Sequence, residues 1–219
     1  RAAMVRGKRL AVHRRHQHGA GRHRGCERDR VVVAIGRAEH EIDRRGIDAH
    51  LFQQFPQGDT GPLRGPGQVT AYLAERGLDV SGVDLSPRMI EHARRLHPQG
   101  RFAVASATEL DLQPDSMGGV LGWWSLFNLP RAVLPSVLDH VARALVPSGQ
   151  VIIATHAGDD DVERTTGYGV PVRWTTHRWQ PEALIELITA TGLRVVADLR
   201  LPAHGQQGPG VVIVAQRDA

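Results

Sequence analysis

The chain has 219 residues, enough for one sizeable domain with a continuous core and too few for two comfortable ones. Its 41% hydrophobic and 23% charged residues exclude a wholly disordered polymer, and no apolar run approaches the roughly 18 residues of a membrane-spanning helix. A lone cysteine, Cys26, excludes an intrachain disulfide framework and a cysteine-cluster metal site, which makes a soluble cytoplasmic protein the expectation. The net charge of +4 is uneven: residues 1–57 carry 13 Arg or Lys against 6 Asp or Glu, and the remainder 14 against 17. Lys8 is the only lysine, a bias that points to GC-rich coding DNA before it points to a binding surface.

Residues 1–57 are rich in Arg, Gly and His and read as a basic, poorly ordered N-terminal segment, leaving 58–219 as the domain. From Gln68 to Arg76, Val69, Tyr72 and Leu73 have helical spacing, and Gly77 stands where a helix end favours glycine. Leu78 to Leu85, "LDVSGVDL", is a strand ending in Asp84, and Ser86-Pro87 is an N-cap and first-turn pair for a helix carrying Met89, Ile90, Ala93 and Leu96. Phe102 to Ala105 is a short strand. Gly118 to Leu126 is an apolar run of the kind a central strand shows. Arg131 to Leu145 is helical, Pro147-Ser148-Gly149 breaks it, and a strand begins at Val151. A polar stretch leads to a helix over Pro181 to Thr191, and Leu193 to Leu199 and Val211 to Ala215 are the last strands, joined without a helix. Alternating strands and helices predict an α/β fold with a doubly wound, mostly parallel sheet, closed by an antiparallel strand pair at its edge.

The blocks "GPGQVTAYLAERGLDVSGVDLSPRMIEHAR", "ASATELDL", "GGVLGWWSLFNLP" and "ARALVPSGQVIIATH", in that order, resemble a class I S-adenosylmethionine-dependent methyltransferase of the actinobacterial small-molecule type. The resemblance covers roughly Gly58 to Ala219. It implies a seven-stranded Rossmann-like sheet, S-adenosyl-L-methionine as cofactor, and a small-molecule acceptor, with no metal and no membrane. Glycines after a first strand let backbone approach the amino-acid end of the cofactor, a role that falls to Gly65 and Gly67. Asp84, 17 residues after Gly67 at a strand's carboxyl end, is placed to accept hydrogen bonds from both ribose hydroxyls. By similarity, Leu85 and Met89 lie against the adenine, Ser106, Ala107 and Thr108 edge its polar rim, and Trp123, with Trp124 and Ser125, closes the fourth strand beside the sulfonium. The sulfonium is an activated leaving group, so alignment carries most of the acceleration and no dedicated catalytic set is demanded. Relatives often have a histidine just after the fourth strand; here the position reads Asn128.

Each of these residues has a plainer reading. Asp84 could serve the dipole of the following helix, and tryptophans on a buried strand usually fill core. His156, Trp174, His177 and Arg178 lie where such enzymes often build an acceptor pocket, yet loop histidines are commonly just solvated. Asp159 to Asp161 is a charge run of the sort that forms a solvated face rather than a metal site. A nicotinamide dinucleotide is disfavoured, since Thr70 stands where the third glycine of its fingerprint belongs.

The segment ahead of the glycines reads "FPQGDTGPLRGPG", with Pro56, Pro62 and Arg64 where a buried strand belongs, so the first strand is expected to be missing or irregular. The expectation that accounts for it is an aberrant, frameshifted stretch over residues 1 to about 60. Two alternatives are a genuine basic arm for acidic partners such as nucleic acid, disfavoured because Phe52 and Phe55 are its only aromatics, and "VVVAIG", Val31 to Gly36, as the first strand with a long following loop. Activity has two competitors: a methyltransferase homologue that binds without reacting because its cofactor site is incomplete, and a basic nucleic-acid-binding protein.

Overall fold

A computed structural model describes residues 30–35, 67–167, 170–204 and 208–219. Gly65, the proline-containing stretch before it and most of the basic segment lie outside the described residues. Nine strands and four helices follow in order: β1 (Arg30–Ile35), α1 (Gln68–Glu75), β2 (Asp79–Asp84), α2 (Pro87–Leu96), β3 (Phe102–Val104), β4 (Met117–Trp123), α3 (Leu134–Ala144), β5 (Leu145–His156), β6 (Asp161–Gly167), β7 (Val170–His177), α4 (Pro181–Ala190), β8 (Leu193–Leu201) and β9 (Gly210–Arg217).

Seven strands form one sheet in the order β3-β2-β1-β4-β5-β9-β8. The pairings from β3 through β5 are parallel, and β9 runs antiparallel to both β5 and β8. The sheet is therefore mixed, and the reversed strand is not the edge strand: β9 is inserted between β5 and β8, because a hairpin return from the edge drops the last strand into the gap. Contrary to the expectation of a missing or irregular first strand, β1 fills the position between β2 and β4, drawn from the alternative stretch Val31 to Gly36, with Val32 in register with Ser81 on one side and Val120 on the other.

Local chemistry explains the element boundaries. Gly67, at φ 83°, turns the chain into α1, and Gly77, also at φ 83°, turns it out. Ser86 caps α2, its Oγ accepting from the Met89 N–H at 3.4 Å, with Pro87 in the first turn. Period-two alternation then sends neighbouring residues to opposite faces. Leu121, Trp123, Ala154 and Val212 join Val69, Tyr72, Ile90 and Ala93 of α1 and α2 in one buried cluster. Val120, Val151, Ile153 and Ile213 join Leu134, Leu138, Leu184 and Ile188 of α3 and α4 in another. Helices thus cover both faces, which is what doubly wound means physically.

Two local readings change. Pro147-Ser148-Gly149 is no turn between elements: α3 passes directly into β5 at Leu145, and the three residues bulge from the strand, with Ser148 at φ 65° and a register shift opposite Met117 to Gly119. The polar stretch after β5 forms the separate β6–β7 hairpin. Its base is tied to the residue after β5 by a bridge between Ala157 and Trp179, and β7 packs on a short 3-10 turn, Leu126–Asn128, that follows β4.

Candidate active site

Ligands of open α/β sheets bind at the carboxyl ends of the strands. Here those ends present Asp84 to Ser86 after β2, Ala105 to Glu109 after β3, Trp124 to Asn128 after β4 and His156 to Gly158 after β5.

Asp84 is half-buried and its Oδ1 accepts the Ser86 N–H at 2.7 Å. Burial pushes its carboxyl above the usual range, and the Ser86 hydrogen bond partly opposes that shift. Leu85 follows with 72% of its surface exposed, a large apolar side chain left in the open beside a half-buried acid. Met89 sits in the first turn of α2 above it. The loop after β3 is anchored to the same place, since the Ala105 N–H donates to the Asp84 carbonyl at 3.0 Å. Within that loop Ser106 and Thr108 pair through their hydroxyls at 2.7 Å, and Ala107 lies between them. Asp84 and Leu85, with Met89 in the first turn of the helix that follows them, and the loop Ser106 to Thr108 therefore lie at the adjoining ends of β2 and β3.

Gly67 begins α1, and a Cβ there would fall 2.7 Å from Phe102 Cζ and 2.9 Å from Ala93 Cβ. Its positive φ and its close packing on β3 and α2 both require glycine. Trp123, last in β4, is 2% exposed and packed with the α1 and α2 cluster, its indole N–H unpartnered among the described residues. Ser125 Oγ and Thr155 Oγ1, near the ends of β4 and β5, are likewise buried and unpartnered among the described residues.

Trp124 departs from the strand in the left-handed region, at φ 49°, while its N–H donates to the Ala154 carbonyl at 3.0 Å. Its ring lies 4.9 Å from that of His156, and Phe127 approaches His156 edge-on at the same distance. His156 is held below the usual imidazole range by burial first, then by the charges of Arg164 and Arg178. Phe127 and Arg164 carry no sequence signal for such a place beyond an apolar side chain in a polar loop and a charge on a polar strand.

The aspartate run is consumed in pairing. Asp159 accepts from Gln180, Asp160 pairs with Arg178, and Asp161 takes Arg131 at 3.2 Å and His177 at 2.8 Å. Among the described residues no group of three or more His, Cys, Asp or Glu could hold a metal ion.

Residues 64–149 match a protein family described as a methyltransferase domain. A solved S-adenosylmethionine-dependent methyltransferase from Methanosarcina mazei superposes with a TM-score of 0.65 at 14% identity, covering 86% of this chain and 92% of that one. The chain has the fold of S-adenosylmethionine-dependent methyltransferases. The 1,6-didemethyltoxoflavin N1-methyltransferase of Burkholderia thailandensis, solved with that compound and S-adenosylhomocysteine, shares the methyltransferase fold at TM-score 0.58 and 21% identity, over 87% of this chain and 71% of that one. By sequence, the biotin biosynthesis bifunctional protein of Cellvibrio japonicus is 30% identical over 140 residues, 59% of this chain. The chain spans 28% of that relative's length and 38% of the length of the mycobacterial uncharacterised methyltransferases it also matches.

S-adenosylmethionine is the cofactor that goes with this fold, and the strand ends fit it. A carboxylate with an oxygen to spare, an open apolar side chain next to it, a hydroxyl-bearing loop and buried unpartnered hydroxyls are the donor set a nucleoside with a charged tail needs.

Proposed function

We propose that the chain is an S-adenosylmethionine-dependent methyltransferase acting on a small-molecule acceptor. The observation that carries this reading is Asp84: a half-buried carboxylate at the carboxyl end of β2, destabilised by its own burial, with Leu85 exposed beside it. A fold tolerates an acid in that condition where a ligand satisfies it. In this reading Asp84 takes the ribose hydroxyls, Leu85 and Met89 the adenine, Ser106, Ala107 and Thr108 its polar edge, and Gly65 and Gly67 the amino-acid end. Trp123 packs beneath the site of transfer. When bound, the cofactor would supply an activated methyl group with a neutral thioether as leaving group. The chain's own residues bind, align and exclude water, which is where the acceleration of such a displacement lies.

Support for a small acceptor comes from what the similar proteins are named for, 1,6-didemethyltoxoflavin in one and biotin biosynthesis in another. Among the described residues no helix is long and apolar enough to cross a membrane. The test is a calorimetric titration of the chain with S-adenosylhomocysteine beside Asp84→Ala. Micromolar binding that the variant loses supports the reading; no binding by the folded wild type leaves a methyltransferase by descent only.

Residues 1 to about 60 are proposed to be translated out of the frame of the domain; the competing reading is that Arg30–Ile35, which pairs with β2 and β4, is the domain's own first strand followed by a long loop. The family match beginning at residue 64 supports the first. Re-reading the coding DNA upstream of codon 65 tests it, and the idea is wrong if neither other frame yields an apolar strand leading into a glycine loop.

A further inference from the structure

We propose that Trp124, Phe127 and His156 form the acceptor subsite, that it takes a planar ring compound with an ionisable O–H or N–H, and that His156 receives the proton which that group gives up. The proposal rests on the methyltransferase reading above and extends it to the second substrate.

Placement comes first. His156 is the last residue of β5 and Trp124 the first after β4, so both stand at the carboxyl edge where the fold binds its ligands. The two aromatic rings flank the imidazole, each at 4.9 Å, at interplanar angles of 55° and 74°. Such an arrangement gives a flat ring both a stacking surface and an adjacent polar atom. Among the described residues neither imidazole nitrogen has a hydrogen-bond partner, so the group capable of taking a proton is not already occupied.

Strain points the same way. Trp124 and Trp123 are neighbours with opposite fates. Trp123 is 2% exposed and fills core, whereas Trp124 packs against that cluster from its rim, partly exposed and held at φ 49°, a conformation that costs a bulky residue about 1–2 kcal/mol. The fold also keeps a glycine, Gly210, beneath its ring, where a Cβ would lie 2.6 Å from Cη2. Together they fix the ring beside His156.

Charge completes the site. The charged groups facing His156 are Arg164 from β6 and Arg178 from the segment after β7; β4 contributes Trp124, the 3-10 turn Phe127 and β9 the Gly210 backbone. Arg164, together with Arg178, whose charge is shared with Asp160, disfavours an imidazolium, so a neutral base and an acidic acceptor suit each other. As the acceptor's oxygen or nitrogen forms its bond to the methyl carbon, that carbon's bond to the donor sulfur would break to leave a neutral thioether, while the acceptor's bond to hydrogen breaks and the proton forms an N–H bond on His156. The imidazolium, destabilised by Arg164 and Arg178, then returns the proton to solvent.

The test uses the full chain saturated with S-adenosylhomocysteine and 4-nitrophenol as probe, with the His156 ring followed by NMR and probe affinity by titration. The expected result is that 4-nitrophenol shifts the His156 ring resonances, and that His156→Gln keeps S-adenosylhomocysteine affinity within about twofold while weakening the probe roughly tenfold, the scale of one lost hydrogen bond to a charged group. Trp124→Ala is expected to weaken the probe by at least as much. Retained S-adenosylhomocysteine binding shows that each variant is folded. If S-adenosylhomocysteine binds but the probe leaves His156 unmoved, or binds His156→Gln as tightly as wild type, the subsite is overturned while the methyltransferase reading stands. If S-adenosylhomocysteine does not bind the wild type, the reading itself fails and the subsite with it.

Discussion

The indole of Trp124 rests on Gly210, with Cη2 only 2.6 Å from where a Cβ at that glycine would lie. Gly210 is not among the positive-φ residues, so its backbone accepts alanine, and the main obstacle is the ring, with the Thr155 carbonyl oxygen a tighter-than-usual neighbour at 3.3 Å. Gly210→Ala is therefore expected to destabilise the chain by about 1–3 kcal/mol through overpacking. Denaturant unfolding measures this, and pairing the change with Trp124→Ala should recover most of the loss. Gly208→Ala, with nothing within 4 Å of its Cβ, is the control and should cost little.

Asp84 sets stability against function. Its folded carboxyl titrates above the usual range because burial disfavours the charge. For a raised carboxyl, the favourable contribution is present below the unfolded value and is lost as pH rises through the folded value. At neutral pH the ionised side chain is thus a net cost to the free protein. Asp84→Asn keeps an oxygen for the Ser86 N–H and removes the charge, so it should melt higher than wild type at pH 7, with the gap closing in acid. The same variant should bind S-adenosylhomocysteine more weakly by about 1.5–3 kcal/mol, the worth of hydrogen bonds to a charged group. A variant neither more stable nor weaker in binding would remove Asp84 from the site.

His156 has the opposite sign. Its folded imidazole is held below the ordinary 6.5 by burial and by Arg164 and Arg178. Stability from a depressed group is complete above the unfolded value and drains away as pH falls through the folded one. Wild type should lose stability below about pH 6.5 in a way that His156→Gln does not, read as the difference between their melting temperatures from neutral pH downwards. Parallel curves would mean that the ring is solvated.

Much of this was legible in residues that act locally. "SGVDLSPRMI" announces its strand, acid, cap and helix because each signal lies within a few positions of the next. The β6–β7 hairpin was not legible: Glu163, Arg164 and Arg173 are exposed, and Pro171 stands inside the second strand, so the pattern lacks the apolar alternation of a half-buried sheet. The bulge at Pro147 to Gly149 imitates a turn because the same residue types serve both. The cluster of Trp124, His156 and Gly210 was also hidden, since what joins it is sheet register: His156 stands opposite Gly210 across β5 and β9, more than fifty positions apart in sequence.

Arg131 ties the hairpin to the loop after β4. It bonds Asp161 at 3.2 Å, donates to the Arg178 carbonyl and stacks 4.7 Å over the Trp179 ring. The Asp161 side chain is 43% exposed, so solvent screens the pair, and Arg131→Ala should cost little overall. Its larger effect should be local. Amide exchange over residues 161–167 and 170–177 is expected to quicken while the main sheet is unchanged, and salt should produce the same pattern in wild type. Uniformly faster exchange would show that the hairpin does not open separately.

The place of β1 is testable by the one residue type that a central strand refuses. Val32 is in register with Ser81 and Val120, flanked by strands on both sides, so Val32→Pro removes a ladder donor and forces a ring into the middle of the sheet. A domain with typical stability of about 5–15 kcal/mol survives such a change badly, and a loss of roughly 3 kcal/mol or more, with S-adenosylhomocysteine binding lost alongside, is the expected outcome. The strand supports α1 and its glycine turn as well as the sheet, so folding and cofactor binding should fail together. If Val32→Pro unfolds at the same denaturant concentration as wild type, Arg30–Ile35 does not hold the centre of the sheet in solution, and the strand missing from the glycine loop must be sought in another frame of the gene.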